Sequence, residues 1–246
     1  WQEWMYETSR DMAAEKGGAL PDLDSLKQKG WVKIDVPDKP HIMIEDFIDD
    51  PVVNPLNTAS GKIEIVSQTI ANFDDDMNCS PHAIWREPSE WLGNADDKFS
   101  LHLISNQPQT KLHSQLDHGS HSRAGKINQR EPVTMHPDDA AARGLHDGDL
   151  VQVFNDRGIC LAVLVVSDDV RPDVVQMATG AWLDPMMTAD GKLLCKHGNP
   201  NVLTHDLGTS KMTQGPAALS CLVEVTKYND APPSMTAFDP PEIITR

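Results

Sequence analysis

The sequence predicts a mainly β protein with a few short helices: a closed β-barrel of short strands preceded by an irregular amino-terminal arm. Three observations carry this reading. From Phe99 onward, short apolar runs alternate with turn residues, and one small helix is written among them. The helices that a doubly wound sheet needs between most of its strands are missing from that stretch. Before residue 60, apart from one initial helix, the chain loses periodicity and is rich in Pro, Asp and Gly.

Residues 1–16 carry a helical pattern, with Trp1, Trp4, Met5 and Met12 roughly on one face. Residues 17–59 read as irregular, with short apolar stretches at Trp31–Ile34 and Ile42–Ile44, and are expected to pack as an arm on something larger. At Ser60–Gly61 the pattern changes. Lys62–Val66 alternates polar and apolar residues, which predicts a half-buried strand, and a helix-like segment follows over Ser67–Phe73. An acidic, proline-bearing connection then runs through Trp85 and Trp91.

Leu101–Ile104 and Val133–Met135 read as strands. The segment His136–Gly144 reads as one short helix. Pro137 suits its first position, Asp138 and Asp139 favour its positive end, and Gly144 suits a left-handed stop. The Asp147–Gly148 turn launches a strand over Asp149–Phe154, and Gly158 closes a second turn into Ile159–Val166. Further strands are expected at Val174–Ala178 and Leu222–Thr226, before a Pro-rich tail. The resulting division is an arm and connecting segment at 1–95, a barrel at 96–230 and a tail at 231–246.

Charge narrows the function classes. The 246 residues hold 37 acids against 21 bases, a formal charge of −16 that repels phosphate backbones and argues against nucleic acid. No apolar run approaches the ~18 residues of a membrane span. Cys79, Cys160, Cys195 and Cys221 form no CxxC pair, so neither a zinc ribbon nor a disulfide framework is predicted. The opening WQEWMYETSRDMAAEK reads as the middle of a protein, so the chain is expected to be a fragment.

Four polar clusters fall in predicted loops: Ser105-Asn106-Gln107-Pro108 leading to Leu112-His113-Ser114-Gln115; Asn155-Asp156-Arg157-Gly158; His197–Thr204; and Gly208-Thr209-Ser210-Lys211 with Gln214 beyond. Neutral amides and hydroxyls both donate and accept hydrogen bonds, which suits a ligand rich in heteroatoms such as a pterin or a guanine ring. The same residues also serve turns, and Asn155–Gly158 fits that use equally well. His113, His118 and His121 lie beside Asp117, but spacings of five and three match no common ligand signature. There is no GxSxG, GxGxxG or GxxxxGK[ST], and no Cys has an activating context. Unaided, these residues support a polar-ligand-binding β-domain with no assigned catalytic residue and no metal ligand.

Taken together, SGKIEIVSQ, LHLISNQPQTKLHSQLD, HPDDAAARGLHDGDLVQVFNDRG and HGNPNVLTHDLGTSKMTQG resemble the carboxy-terminal region of the molybdopterin-dependent dimethyl sulfoxide reductase family. The biotin sulfoxide and trimethylamine N-oxide reductase group is the most similar. The resemblance runs from about Ser60 to Tyr228. It implies a double-psi β-barrel that caps bis(molybdopterin guanine dinucleotide) molybdenum in the full-length enzyme. Carried over residue by residue, His113, Ser114 and Gln115 lie against a pterin, and Asn201 and Gln214 add hydrogen bonds to the cofactor. Asn155 and Asp156 match a motif near it, and Asn106 and Gln107 stand at positions that vary within the group.

The resemblance also implies catalytic domains ahead of this region, an S-oxide or N-oxide substrate, and a bacterial enzyme of the periplasm or cytoplasm. The family's serine ligand to molybdenum belongs to an earlier part of the polypeptide, so the fragment alone is expected to be inactive. The alternative is a stand-alone double-psi barrel serving as a binding or interaction module.

Overall fold

A computed structural model of the chain describes residues 1–34, 38–73, 78–217 and 219–244. Residues 74–77, part of the acidic connection, therefore lie outside the described residues. The chain divides into two compact units, Trp1–Ile65 and Val66–Arg246.

The first unit holds three helices, α1 (Gln2–Glu15), α2 (Leu23–Lys29) and α3 (Glu45–Asp49). The predicted helix at 1–16 is present, with Trp1 stacked on Trp4 at 5.1 Å between ring centroids. Tyr6 donates to the Pro21 carbonyl at 2.8 Å, tying α1 to the turn before α2. That second helix starts at Asp22, whose carboxylate caps the Ser25 amide at 2.9 Å, and stops at Gly30 with φ of 76°. The segment read as irregular thus contains two short helices. The strand expected at Lys62–Val66 does not form: Ile63 is 65% and Ile65 82% exposed, and no neighbouring strand pairs with the segment among the described residues. Alternation alone makes no ladder without a partner.

The second unit is built on eight strands: β1 (Leu101–Ile104), β2 (Pro132–Met135), β3 (Leu150–Phe154), β4 (Ile159–Val166), β5 (Val174–Met177), β6 (Pro185–Met187), β7 (Leu193–Cys195) and β8 (Leu222–Lys227). Six of them close a ring in the order β2-β5-β1-β8-β3-β4, with β4 returning to β2. Two pairs in the ring are parallel, β1 with β5 and β2 with β4, and the remainder are antiparallel. This is the closed barrel that the sequence predicted, in the double-psi form that the family resemblance implied. The β6–β7 hairpin continues the sheet outward from β4 through Ile159↔Leu194 and Cys160↔Cys195.

Alternation along the strands fills the barrel. Leu101, Leu103, Val133, Met135, Val151, Val153, Val175, Met177, Val223 and Val225 are buried in one cluster. The helix α6 (Pro137–Ala142) forms where expected. His136 Nδ1 accepts from the Asp138 amide at 3.2 Å, and Gly144 adopts φ of 63°. Gly158 closes the β3–β4 turn where its backbone approaches another strand of chain: a Cβ there would lie 2.6 Å from the Val202 carbonyl oxygen. Of two further short helices, α4 (Gln68–Ala71) precedes the first strand and α5 (Ser120–Ala124) lies between β1 and β2. The tail is tied down by Arg130 and Lys196, which donate to the carbonyls of Pro233 (2.7 Å) and Ser234 (3.1 Å). No helix among the described residues is long and apolar enough to cross a membrane.

Candidate functional site

Three loops emerging from the barrel line one polar cleft of about 330 Å³. The loop after β1 supplies His113 and Ser114. The loop between β5 and β6 supplies Thr179, Gly180, Ala181, Trp182 and Leu183. A 3-10 helix at Pro200–Val202 carries Asn201, and Asn199 stands at its start. A second cleft of about 370 Å³ adjoins it, sharing Thr179 and Asn201 and adding Ser105, Pro216, Ala217, Leu219 and Ser220. The two spaces border one another at Thr179 and Asn201 and are together called the groove.

Each loop is fixed by hydrogen bonds that pair side chains with backbone groups of the same or a neighbouring loop. His113 sits at φ of 50°, a left-handed conformation unusual for a non-glycine residue. Gln107 holds it there, accepting from the His113 amide at 3.1 Å and donating to its Nδ1 at 3.0 Å. Asn106 anchors the base of the same loop: its carbonyl accepts from the Thr179 amide at 2.9 Å and its side chain accepts from Gln176. Asn199 caps the 3-10 helix by accepting from the Asn201 amide at 2.9 Å. The Trp182 indole donates to the Ser114 carbonyl at 2.8 Å.

Behind this groove lies a buried ionic network. Lys111 and Lys126 each pair with both Asp117 and Glu131, at 3.1 and 2.9 Å to Asp117 and 2.5 Å from Lys111 to Glu131. Burial acts to raise the Asp117 pKa, but Lys126, the Trp182 amide and Lys111 outweigh it and hold the carboxyl below its ordinary value. Burial likewise opposes the charge on Lys111, and the two acids overcome it and raise its pKa. His197 is fully enclosed. Burial first, and then Lys126, push its pKa down, so it is neutral.

The structure brings His113, Ser114 and Asn201 of the predicted set into the groove, with Asn106 and Gln107 bracing its rim. It does not bring the others there. Gln115 is exposed and lies outside the lining. Gln214 donates to the Ser210 carbonyl at 2.7 Å within its own turn. Asn155 is 2% exposed, and its amide nitrogen donates to the carbonyls of Leu203 (2.8 Å) and Leu222 (3.1 Å). Asp156 pairs with Lys98 at 2.6 Å beside a separate, smaller depression. Thr179, Gly180 and Trp182 were not singled out from the sequence. The signal for them is a glycine and an aromatic directly after the strand Val174–Met177.

The histidines beside Asp117 do not converge. His113 is engaged by Gln107, and His118 packs against the Trp182 ring at 5.1 Å. Among the described residues no group of three or more His, Cys, Asp or Glu could hold a metal ion. What the groove offers instead is neutral donors and acceptors: amides, hydroxyls and peptide groups beside one indole. That set fits a fused heteroaromatic ring with several ring and exocyclic heteroatoms.

Residues 101–222 match the family model described as Molydopterin dinucleotide binding domain. Over 243 residues, 98% of its length, the chain is 40% identical to a dimethyl sulfoxide/trimethylamine N-oxide reductase of Cereibacter sphaeroides. It is 38% identical over 258 residues to a trimethylamine-N-oxide reductase of Haemophilus influenzae, and 41% identical over 241 residues to a biotin sulfoxide reductase of C. sphaeroides. It spans 29%, 30% and 32% of those relatives. Acetylene hydratase from Pelobacter acetylenicus superposes with a TM-score of 0.58 at 17% identity over 85% of this chain and 28% of that one, a likeness of fold. The closed barrel, the groove at its loops and these matches identify the chain as a member of the molybdopterin-dependent dimethyl sulfoxide reductase family, with residues 101–222 as its molybdopterin dinucleotide-binding domain.

Proposed function

We propose that this chain supplies the dinucleotide-binding groove of a longer molybdenum reductase of S-oxides or N-oxides. The observation that carries the reading is the convergence of His113, Ser114 and Asn201, distant in sequence, on one cleft. Neutral groups of this kind recognise a ring by its pattern of donors and acceptors and orient it without adding charge. The cofactor we assign is molybdopterin in its guanine dinucleotide form, two per enzyme, supplying oxygen-atom transfer at molybdenum when bound. In this reading His113, Ser114 and Asn201 bind a pterin directly, while Asn106 and Gln107 position them. Gln115 and Gln214 enter the site only against the parts of the enzyme that this chain does not span.

The partners we assign are catalytic domains of the same polypeptide or complex, in the bacterial periplasm or cytoplasm. Residues 96–230 form the binding unit, with 1–95 as the connection to those domains and 231–246 as a tail. The chain by itself carries no catalytic residue for the reduction.

The test is a titration of the full chain with extracted molybdopterin guanine dinucleotide and with GDP, followed by tryptophan fluorescence through Trp182. Saturable binding that Asn201→Ala weakens about tenfold, or ~1.4 kcal/mol, supports the groove. Binding that Asn201→Ala leaves unchanged moves the site elsewhere.

A further inference from the structure

Trp182 is held from three directions by groups outside its own loop. Its backbone N–H donates to Asp117 Oδ2 at 2.9 Å, its carbonyl accepts from His197 Nδ1 at 3.0 Å, and its indole donates to the Ser114 carbonyl at 2.8 Å. Asp117 and His197 are both 0% exposed, and neither belongs to the lining of the cleft.

Burying an ionised carboxylate is costly, and replacing such networks by apolar residues is often neutral or stabilising. Net stability is therefore a poor reason for the Lys111–Asp117–Lys126–Glu131 arrangement. What it provides is direction: the two ammonium groups keep Asp117 charged and fixed, so that its second oxygen meets the Trp182 amide. The Lys111 stem reaches the same wall one step away, because a Cβ on Gly180 would lie 3.1 Å from its Cε.

His197 works from the other side. A carbonyl oxygen only accepts, so the neutral imidazole carries its proton on Nδ1 toward Trp182. Its Nε2 is then a buried acceptor without a hydrogen-bond partner among the described residues. Leaving it so has a cost, which argues that the Nδ1 contact is what the position is built for. Phe238 stands edge-on to both rings, 4.8 Å from His197 and 5.6 Å from Trp182.

We propose that Asp117 and His197 are positioning residues that fix Trp182, and with it the 179–183 wall, in the geometry that accepts the cofactor. The proposal rests on the cofactor-groove reading for its ligand, and on Trp182 alone for its geometry.

The experiment uses the full chain and four variants: Asp117→Asn, His197→Leu, His197→Asn and Asn201→Ala. Two quantities are read: the Trp182 indole nitrogen–proton resonance of the ligand-free protein, and affinity for extracted molybdopterin guanine dinucleotide. Asp117→Asn and His197→Leu shift or broaden the indole resonance and weaken binding by about tenfold, the loss expected for a buried charged or neutral anchor. His197→Asn, whose amide nitrogen stands near the place of Nδ1, restores both. Asn201→Ala weakens binding with the resonance in place. An indole resonance unmoved in Asp117→Asn and His197→Leu overturns the proposal, as does a binding loss that His197→Asn fails to recover. Should Asp117→Asn unfold, the two His197 variants decide. Wild-type protein that binds no dinucleotide overturns the groove reading, and the indole resonances then decide the clamp independently.

Discussion

The carbonyl oxygen of His113 occupies the place that a side chain on residue 180 would need: a Cβ on Gly180 would lie 1.8 Å from it. Gly180 also sits at φ of 95°, where side chains are rarely accommodated. Two loops therefore meet backbone to backbone at the floor of the groove. Gly180→Ala is expected to force them apart and cost about 2–4 kcal/mol, from strain and overpacking together. Denaturant unfolding measures this, and an unchanged midpoint would show that the two loops are not in contact in solution.

Asn155 gives the opposite test, because its amide is consumed by the chain's own carbonyls. Asn155→Ala should destabilise the fold by about 1–3 kcal/mol, because the buried amide's bonds to the Leu203 and Leu222 carbonyls are lost, although Arg157 Nε still donates to the Leu203 carbonyl at 2.6 Å. Dinucleotide affinity should stay within about twofold of wild type, since Asn155 lies outside the groove. A tenfold loss of affinity would instead return Asn155 to the site.

Glu90 ties the segment before the barrel to three elements of it. Arg157 donates twice, at 2.6 and 2.9 Å, His205 Nε2 lies 2.6 Å away, and the Leu222 amide donates at 2.7 Å. Burial acts to raise the Glu90 pKa, but these partners hold it at about 2. A lowered carboxyl contributes stability that is present above its unfolded value of 4.5 and lost as pH falls toward 2. Asp117 and Glu224 are lowered as well and add to the same loss. Thermal midpoints should fall below about pH 4.5, and Glu90→Gln should flatten that dependence.

Removing one member of the buried network leaves an excess charge in a dry place. Lys111→Met should cost about 3–5 kcal/mol. Lys111→Met combined with Glu131→Gln should cost less than the sum of the two single changes, by at least about 1 kcal/mol in a double-mutant cycle. Strict additivity would mean that water screens the network.

The thiols separate by access more than by acidity. A hydrogen bond from Cys160 helps hold Cys195 at about 5 against burial, yet Cys160, Cys195 and Cys221 are all enclosed. In native protein an alkylating reagent should modify Cys79 first and the other three only at the rate of unfolding. Rapid native labelling of Cys195 would show that the β6–β7 hairpin opens.

The barrel was legible because its long strands carry their own signal. Ile159–Val166 is a continuous apolar run, and the helix at Pro137–Ala142 is written with a start and a stop. The β6 and β7 strands were not legible: each has three residues, too few for a period, and they are strands only because β4 is beside them. Lys62–Val66 failed in the reverse sense, having the period without the neighbour. At the site, loop chemistry pointed to His113, Ser114 and Asn201, but the same amide-rich grammar also wrote Asn155 and Gln214, whose bonds are spent within the chain. The clamp on Trp182 was invisible in one dimension, because Asp117 and His197 become neighbours only through the crossing of the chain.

The ring of six strands also determines how this protein comes apart. With β4 bonded to β2, β3 and β7, the barrel has no seam along which one strand could peel away while its neighbours stay paired. Amide exchange across β1, β2, β3, β4, β5 and β8 should therefore proceed through a single concerted opening, with one common free energy for the six strands.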